Sequence, residues 1–278
     1  MKRLLIISAV SLLTIVTTSL ANALPSDDFN DNSRNTSMWN LLQKSPNVWL
    51  DETNQRLEVR SIADVNGASV IYYANGWGFL TANNFSFKAD FHDSSVTVPG
   101  NYAFGTMIGI GKFGGGIGIV TTANNNAAIE AQRYVDQNGN GSVFDYEKTT
   151  DGNHVQKDVK TRNQDSGVLY ISYDANKDEL YLSDTGYWAA NAWDTIPGLL
   201  KGEWNSNVVV PFLSGYVRNT ALNSGDAYLD NFVVDSGTIV YYEKQKSLEG
   251  ASKGEKQLKK GNRCNGRRSV ISRGGPSF

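Results

Sequence analysis

From Leu24 onward the chain runs in short stretches of alternating apolar and polar residues, separated by clusters of Asn, Asp, Gly and Ser. A period of two is the mark of half-buried β-strands, and no stretch sustains a helical period beside it. Phe85-Ser86-Phe87-Lys88-Ala89-Asp90-Phe91 puts Phe85, Phe87, Ala89 and Phe91 on one face. Leu169–Tyr173 and Glu179–Ser183 flank Asp174–Asp178, which predicts a hairpin with a polar turn. Val208–Val210 and Tyr228–Val234 predict later strands. The Gly-rich stretch Tyr102–Gly111 predicts a strand that is bulged, or has a face crowded by another backbone. Only Ala189–Leu200 has room for a helical turn, and Pro197 limits it. About ten short strands without helices between them imply two antiparallel sheets packed face to face.

Composition narrows the class further. A hydrophobic content of 40% is enough for a packed core, and 11% aromatics excludes a wholly disordered chain. A single cysteine, Cys264, excludes a disulfide scaffold. Gly111-Lys112-Phe113-Gly114-Gly115-Gly116 lacks the Gly-Lys-Ser/Thr ending and following helix of a phosphate loop.

The net charge of -2 over 278 residues conceals two unlike parts. Of the 26 Lys and Arg, ten lie in residues 244–278 beside only Glu249 and Glu255, so that segment carries +8. Lys2 and Arg3 belong to the start of the chain, which leaves 14 bases against 26 of the 28 acids in residues 24–243, a net of −12. The basic segment has few apolar residues and no aromatic before Phe278, so it is expected to be a disordered tail. Its charge suits polyanions, and without interleaved aromatics to stack bases no specific nucleic acid is expected.

Residues 1–23 read as a signal peptide: Lys2 and Arg3, the apolar run Leu4–Val16, then Ala21-Asn22-Ala23. The apolar run is shorter than a membrane span, and no later segment is long and apolar enough to be one. The expectation is export, to the medium, the periplasm or the cell surface, with no transmembrane segment after cleavage. The expected organisation is a signal peptide over 1–23, a sandwich over 24–243 and a tail over 244–278.

One motif is sharp. Asp136-Gln137-Asn138-Gly139-Asn140-Gly141, with Glu147 six residues on, fits the spacing of a calcium loop in which Asp136, Asn138, Asn140 and Glu147 supply oxygens. The alternative, preferred because the flanks lack amphipathic helices, is a β-hairpin that pairs Val135 with Val143. That register sets Arg133 opposite Asp145 and Glu130 opposite Lys148.

Asp27-Asp28-Phe29-Asn30-Asp31-Asn32-Ser33 with Trp39, Glu52–Val59, and the closing Tyr228-Leu229-Asp230-Asn231-Phe232-Val233-Val234 resemble the secreted bacterial concanavalin A-like lectin/glucanase domains. The resemblance spans about residues 26–240. It implies an all-β jelly-roll sandwich of two antiparallel sheets, with the first and last strands side by side. It also implies glycan binding or cleavage, with a polysaccharide or cell-surface glycan as partner. Adjacent end strands would bring Asp28, or Asp27, to Asp230, a second candidate calcium site beside turn capping. The three carboxylates that glucanase members carry on one strand are not found. Asp145-Tyr146-Glu147 supplies two on one face without the third. The expectation therefore leans to a non-catalytic, lectin-like module, with a glycoside hydrolase or lyase, or a surface protein that binds no sugar, as alternatives. Trp77, Tyr187, Trp188 and Trp193 stand in turn-like context and are the candidate sugar-stacking residues, whereas Trp39 and Trp49 are assigned to the core. His92 and His154 have no zinc-type spacing.

Overall fold

The computed structural model describes residues 23–43, 46–62, 67–94, 101–113, 125–136 and 139–242. Residues 1–22, read above as most of a signal peptide, and residues 243–278, with the expected basic tail and Cys264, lie outside the described residues, as do Gln137 and Asn138. No helix among the described residues is long and apolar enough to cross a membrane.

Among the described residues seventeen strands follow one another: β1 (Ser26–Asp27), β2 (Trp39–Gln43), β3 (Val48–Thr53), β4 (Arg56–Ser61), β5 (Ala68–Ala74), β6 (Trp77–Leu80), β7 (Phe85–Asp93), β8 (Tyr102–Lys112), β9 (Asn126–Asp136), β10 (Gly139–Thr150), β11 (Asn153–Thr161), β12 (Ser166–Asp174), β13 (Glu179–Ser183), β14 (Asp194–Pro197), β15 (Val208–Arg218), β16 (Ala227–Ser236) and β17 (Ile239–Tyr241). They form the expected two-sheet antiparallel jelly-roll sandwich. One sheet runs β14-β13-β12-β7-β16-β4-β3 with β1 on β16. The other runs β11-β10-β9-β8-β15-β5-β2, with β6 on β15 and β17 on β6. The pairing of β1 with β16 brings the two ends of the sandwich together, Asp27 opposite Phe232.

The core lies between the sheets and follows from the period-two pattern. Phe85, Phe87, Ala89 and Phe91 of β7 all point inward and are buried. Phe79 stacks on Phe85 with ring centres 4.5 Å apart, and Trp39 meets Phe232 edge-on at 5.0 Å. The hairpin of β12 and β13 closes where the sequence placed it, with Asp174 opposite Glu179. Trp39 is buried as expected, but Trp49 is only half-buried, because it alternates outward from Val48 and Leu50 on β3. Pro197 sits in β14, an edge strand, where its missing N–H costs no ladder bond. The helical turn comes after it, as a single π-turn over Leu199–Glu203.

That turn is anchored by one carboxylate. Asp178 accepts hydrogen bonds from the backbone N–H groups of Leu200 (3.2 Å), Lys201 (3.1 Å) and Gly202 (3.0 Å) and from the Tyr173 hydroxyl (2.8 Å). Burial opposes its ionisation, but these four donors outweigh burial and hold its pKa below the usual carboxylate range. Asp178→Ala is expected to lower unfolding free energy by about 2 kcal/mol at neutral pH. Because the folded pKa is depressed, this contribution is present above the ordinary carboxylate pKa and fades as pH falls through the folded value. Denaturant titrations at neutral and at strongly acid pH check both statements.

Candidate functional site

The second sheet has a concave outer face, and on it lies a groove of about 550 Å³ lined by Ser69, Ala103, Met107, Glu130, Gln132, Tyr134, Glu147, His154, Gln156, Tyr216 and Arg218. Strand alternation explains the set. Glu130, Gln132 and Tyr134 are every second residue of β9, so Ile129 and Ala131, of the opposite parity, fill the core. Tyr216 and Arg218 on β15 alternate in the same way with buried Val217. One end of the face is floored by an apolar cluster of Ile71, Met107, Ala128 and Phe212, with Tyr73 and Tyr216 packed against it.

The register of β9 with β10 decides the chemistry. The hairpin forms, but Val143 pairs with Gln132 rather than Val135, a slip of three residues from the expected register. Asp136 pairs with Gly139, so the connection is two residues rather than a long polar loop. An odd slip exchanges the faces of the partners. Arg133 therefore turns away from Asp145, and Glu130 stands directly opposite it. Residues paired in this way hold their Cβ atoms about 5 Å apart, and diagonal neighbours about 7–8 Å. Asp145 and Glu147 share a face of β10, so three carboxyl-bearing residues line one face: Glu130 opposite Asp145, with Glu147 on the diagonal.

Each of the three has a distinct setting. Glu130 is 2% exposed, and among the described residues its Oε1 has no hydrogen-bond partner. Burial first, and then the charges of Asp145 and Glu147, push its pKa well above the ordinary value. Asp145 is buried and accepts a hydrogen bond from Gln156 Nε2 at 2.8 Å. Glu147 is the most open, with its Oε1 3.0 Å from His154 Nε2. Gly105 makes the room: a Cβ there would run into Glu130 Oε1 and come within 2.7 Å of the Ala131 carbonyl. Gly109 does the same for the Phe212 ring. The glycines of β8 thus leave space for neighbouring side chains as well as for the adjacent backbone.

The anticipated site residues are placed elsewhere. Trp77 is 3% exposed in the core, its Nε1 donating to the Met38 carbonyl, so it cannot stack on a ligand. Trp193 packs on Phe144 and donates to Asp184 (2.7 Å). Tyr187 donates to Asp235 and meets Tyr170 edge-on, and Trp188, 38% exposed, follows it. Tyr187, Trp188 and Trp193 belong with the first sheet, between β13 and β14, and Trp77 in β6 of the second sheet is turned into the core. The groove residues Glu130, Gln132, Tyr134, Gln156, Tyr216 and Arg218 were not anticipated, and His154 was weighed only as a zinc ligand.

The calcium loop does not form as a loop. Glu147 is opposite Ala128, eight residues along β10 from Gly139, or roughly 26 Å at strand rise, and cannot close a shell around Asp136. Asn138 and the side chains of Asp136 and Asn140 lie outside what is described. At the other candidate site, Asp27 accepts from Trp39 Nε1 (2.8 Å) and Phe29 N (3.0 Å), and Asp28 accepts from Asn30 N (3.2 Å). Asp230 accepts from Asn231 N, and its pKa is raised by burial first, then by Asp90 and Asp28. Among the described residues no three His, Cys, Asp or Glu side chains are grouped to hold a metal ion.

Nearby, Glu52 occupies the inward register of Val48 and Leu50. It is 6% exposed, and neither carboxyl oxygen has a hydrogen-bond partner among the described residues. Burial, then Asp27 and Asp31, push it up to about 7. A raised folded pKa stabilises the fold fully below the unfolded value near 4.5, and that stability is lost as pH rises through 7. Glu52→Gln does not titrate. It is therefore expected to gain up to about 3 kcal/mol on the wild type between pH 4.5 and pH 7, which urea titrations across that range measure.

No protein-family model matches the sequence, and no curated protein matches it. Solved structures to which the chain is similar are lectins and glycoside hydrolases. A lectin from Bauhinia forficata in complex with GalNAc is 13% identical, covers 80% of this chain and 100% of its own, and has a TM-score of 0.46. A beta-1,3-glucanase from Mycobacterium marinum is 14% identical, with 78% and 98% covered and a TM-score of 0.45. A glycosyl hydrolase family protein from Mycobacterium fortuitum is 14% identical, with 77% and 99% covered and a TM-score of 0.48.

Proposed function

We propose that the protein is an exported glycan-active protein that holds a polysaccharide across the concave groove and hydrolyses it there. The observation that carries this reading is that Glu130, Asp145 and Glu147 line one face of β9 and β10. Glycoside hydrolysis needs one carboxyl that keeps its proton and another that has lost it, set several ångströms apart across the scissile bond. Burial and two neighbouring carboxylates hold the pKa of Glu130 well above the ordinary value, which suits a proton donor to the leaving oxygen. Glu147, more exposed and held by His154, is placed to be the partner that attacks or activates water. Asp145, held by Gln156, supplies the charge that keeps the proton on Glu130. Tyr134 and Tyr216 offer ring surface to sugar C–H groups along the same groove.

A second reading, binding without cleavage, is favoured by the depth of Glu130, which is almost wholly covered. A panel of plant, fungal, algal and bacterial polysaccharides separates the two, each tested for binding by affinity electrophoresis and for release of reducing ends. Release supports hydrolysis, binding alone supports the lectin-like reading, and silence in both overturns the groove as a glycan site.

A further inference from the structure

The groove is acidic at one end, but it carries a cation at the other. Arg218 lies on the groove wall, half-buried, in the row that runs from β15 through Ala103 of β8 to Tyr134 of β9. Its only hydrogen bond among the described residues is a long one, Nη2 to Asn101 Oδ1 at 3.4 Å, and its Nε is buried without a partner. No carboxylate among the described residues pairs with it, although Arg56, Arg60, Arg133 and Arg162 each have one. A guanidinium that pays a desolvation cost and leaves its donors unused is a preorganised receptor for a planar anion.

We infer that Arg218 makes the groove selective for anionic glycans, those bearing uronate carboxylates or sulfate esters, by receiving one such group at the end remote from the carboxylates. This rests on the reading of the groove as a glycan site. The three acids do not cancel the attraction. Arg218 and Glu130 are two strands apart across the sheet and four residues apart along it, roughly 16 Å by sheet spacing. Asp145 and Glu147 lie one strand further away still, so their repulsion of an anion seated at Arg218 is weak beside its direct contact with the guanidinium. Tyr216 and Gln132 lie in the row between Arg218 and Glu130, so a sugar chain laid along the groove would pass over them from one region to the other.

The test uses the full chain and calorimetry at physiological salt, with a set of oligouronates, each paired with its carboxyl-reduced, neutral counterpart, and a sulfated oligosaccharide paired with its desulfated form. For at least one pair the anionic member should bind about tenfold or more tightly than the neutral one. Arg218→Gln should erase that advantage while changing neutral binding less than about twofold, and Arg218→Lys should keep part of it. Glu130→Gln should leave the advantage in place. The inference is overturned if neutral members bind as well as anionic ones, or if the advantage survives in Arg218→Gln. The second result would assign the anion to another part of the chain, such as the basic tail that all these proteins share. Binding of none of the oligosaccharides by the wild type overturns the inference and the glycan-groove reading together.

Discussion

Glu130→Gln is expected to lower turnover of a cleaved glycan by about 10²–10⁴-fold, while glycan affinity stays within a few-fold of the wild type. Glutamine keeps the shape that Gly105 makes room for, but has no proton to give to the leaving oxygen. The wild type should lose activity as pH rises through the folded pKa of Glu130, because burial and the charges of Asp145 and Glu147 hold that proton well above the ordinary carboxylate range. Residual activity in the variant should lack this alkaline limb.

Stability separates the catalytic effect from a structural one, and its sign is fixed by the same shift. A group with a raised folded pKa stabilises the fold fully below its unfolded pKa and loses that contribution as pH rises through the folded one. The variant should therefore gain in unfolding free energy on the wild type toward alkaline pH, although its activity is lower throughout. Loss of activity together with loss of stability at pH 8 would mark Glu130 as structural. Reducing-end assays with denaturant titrations of both proteins decide between the outcomes.

The sandwich was legible because its signal is local. Phe85, Phe87, Ala89 and Phe91 alternate with polar residues, and alternation alone sends them inward. The hairpin of β12 and β13 was legible for a similar reason, since Asp174–Asp178 marks its turn. The groove was not, because it depends on register. Two opposite-charge pairs made a convincing pairing of β9 with β10, and it was three residues out. The true pairing sets Glu130 beside Asp145, an arrangement that repels and that no rule of favourable cross-strand pairs would select. A fold accepts such a conflict where the site needs it, so charge complementarity pointed away from the groove. The tryptophans misled in the opposite direction. Trp77 follows Asn75-Gly76 and looks like a turn residue, yet β6 begins at Trp77 itself and carries the ring into the core. The groove uses Tyr134 and Tyr216 in its place, whose strands gave no sign of which face would be open.

Arg162→Met is expected to cost about 3–5 kcal/mol of unfolding free energy, the largest effect of any single substitution considered. Arg162 and Asp93 form an ion pair at 3.2 Å in which both side chains are fully buried. The pair ties the sheets together. Asp93 ends β7 of one sheet and also accepts from Thr106 Oγ1 (3.2 Å) on β8 of the other, while Arg162 lies over the Phe91 ring at 5.2 Å and donates to the Gln132 carbonyl (3.4 Å) of β9. Arg133 adds a hydrogen bond to the Asp93 carbonyl and a salt bridge to Asp165. Methionine fills much of the arginine volume, so the loss measures the stranded carboxylate more than a cavity. Burial pushes Asp93 up to about 7 even against the pull of Arg162, and without Arg162 the folded pKa must rise further. The fold then tolerates only the protonated acid, so the penalty should be smaller at pH 5 than at pH 8, and denaturant titrations at the two pH values measure the difference. Asp93→Asn in the same chain should recover part of the loss at pH 8, because a neutral amide replaces the unpaired charge. Equal penalties at both pH values would show that Arg162 acts through packing on Phe91 and not through the charge of Asp93. The strand at stake is β9, which carries Glu130, Gln132 and Tyr134 into the groove. Even a folded Arg162→Met protein should therefore bind glycan more weakly than the wild type.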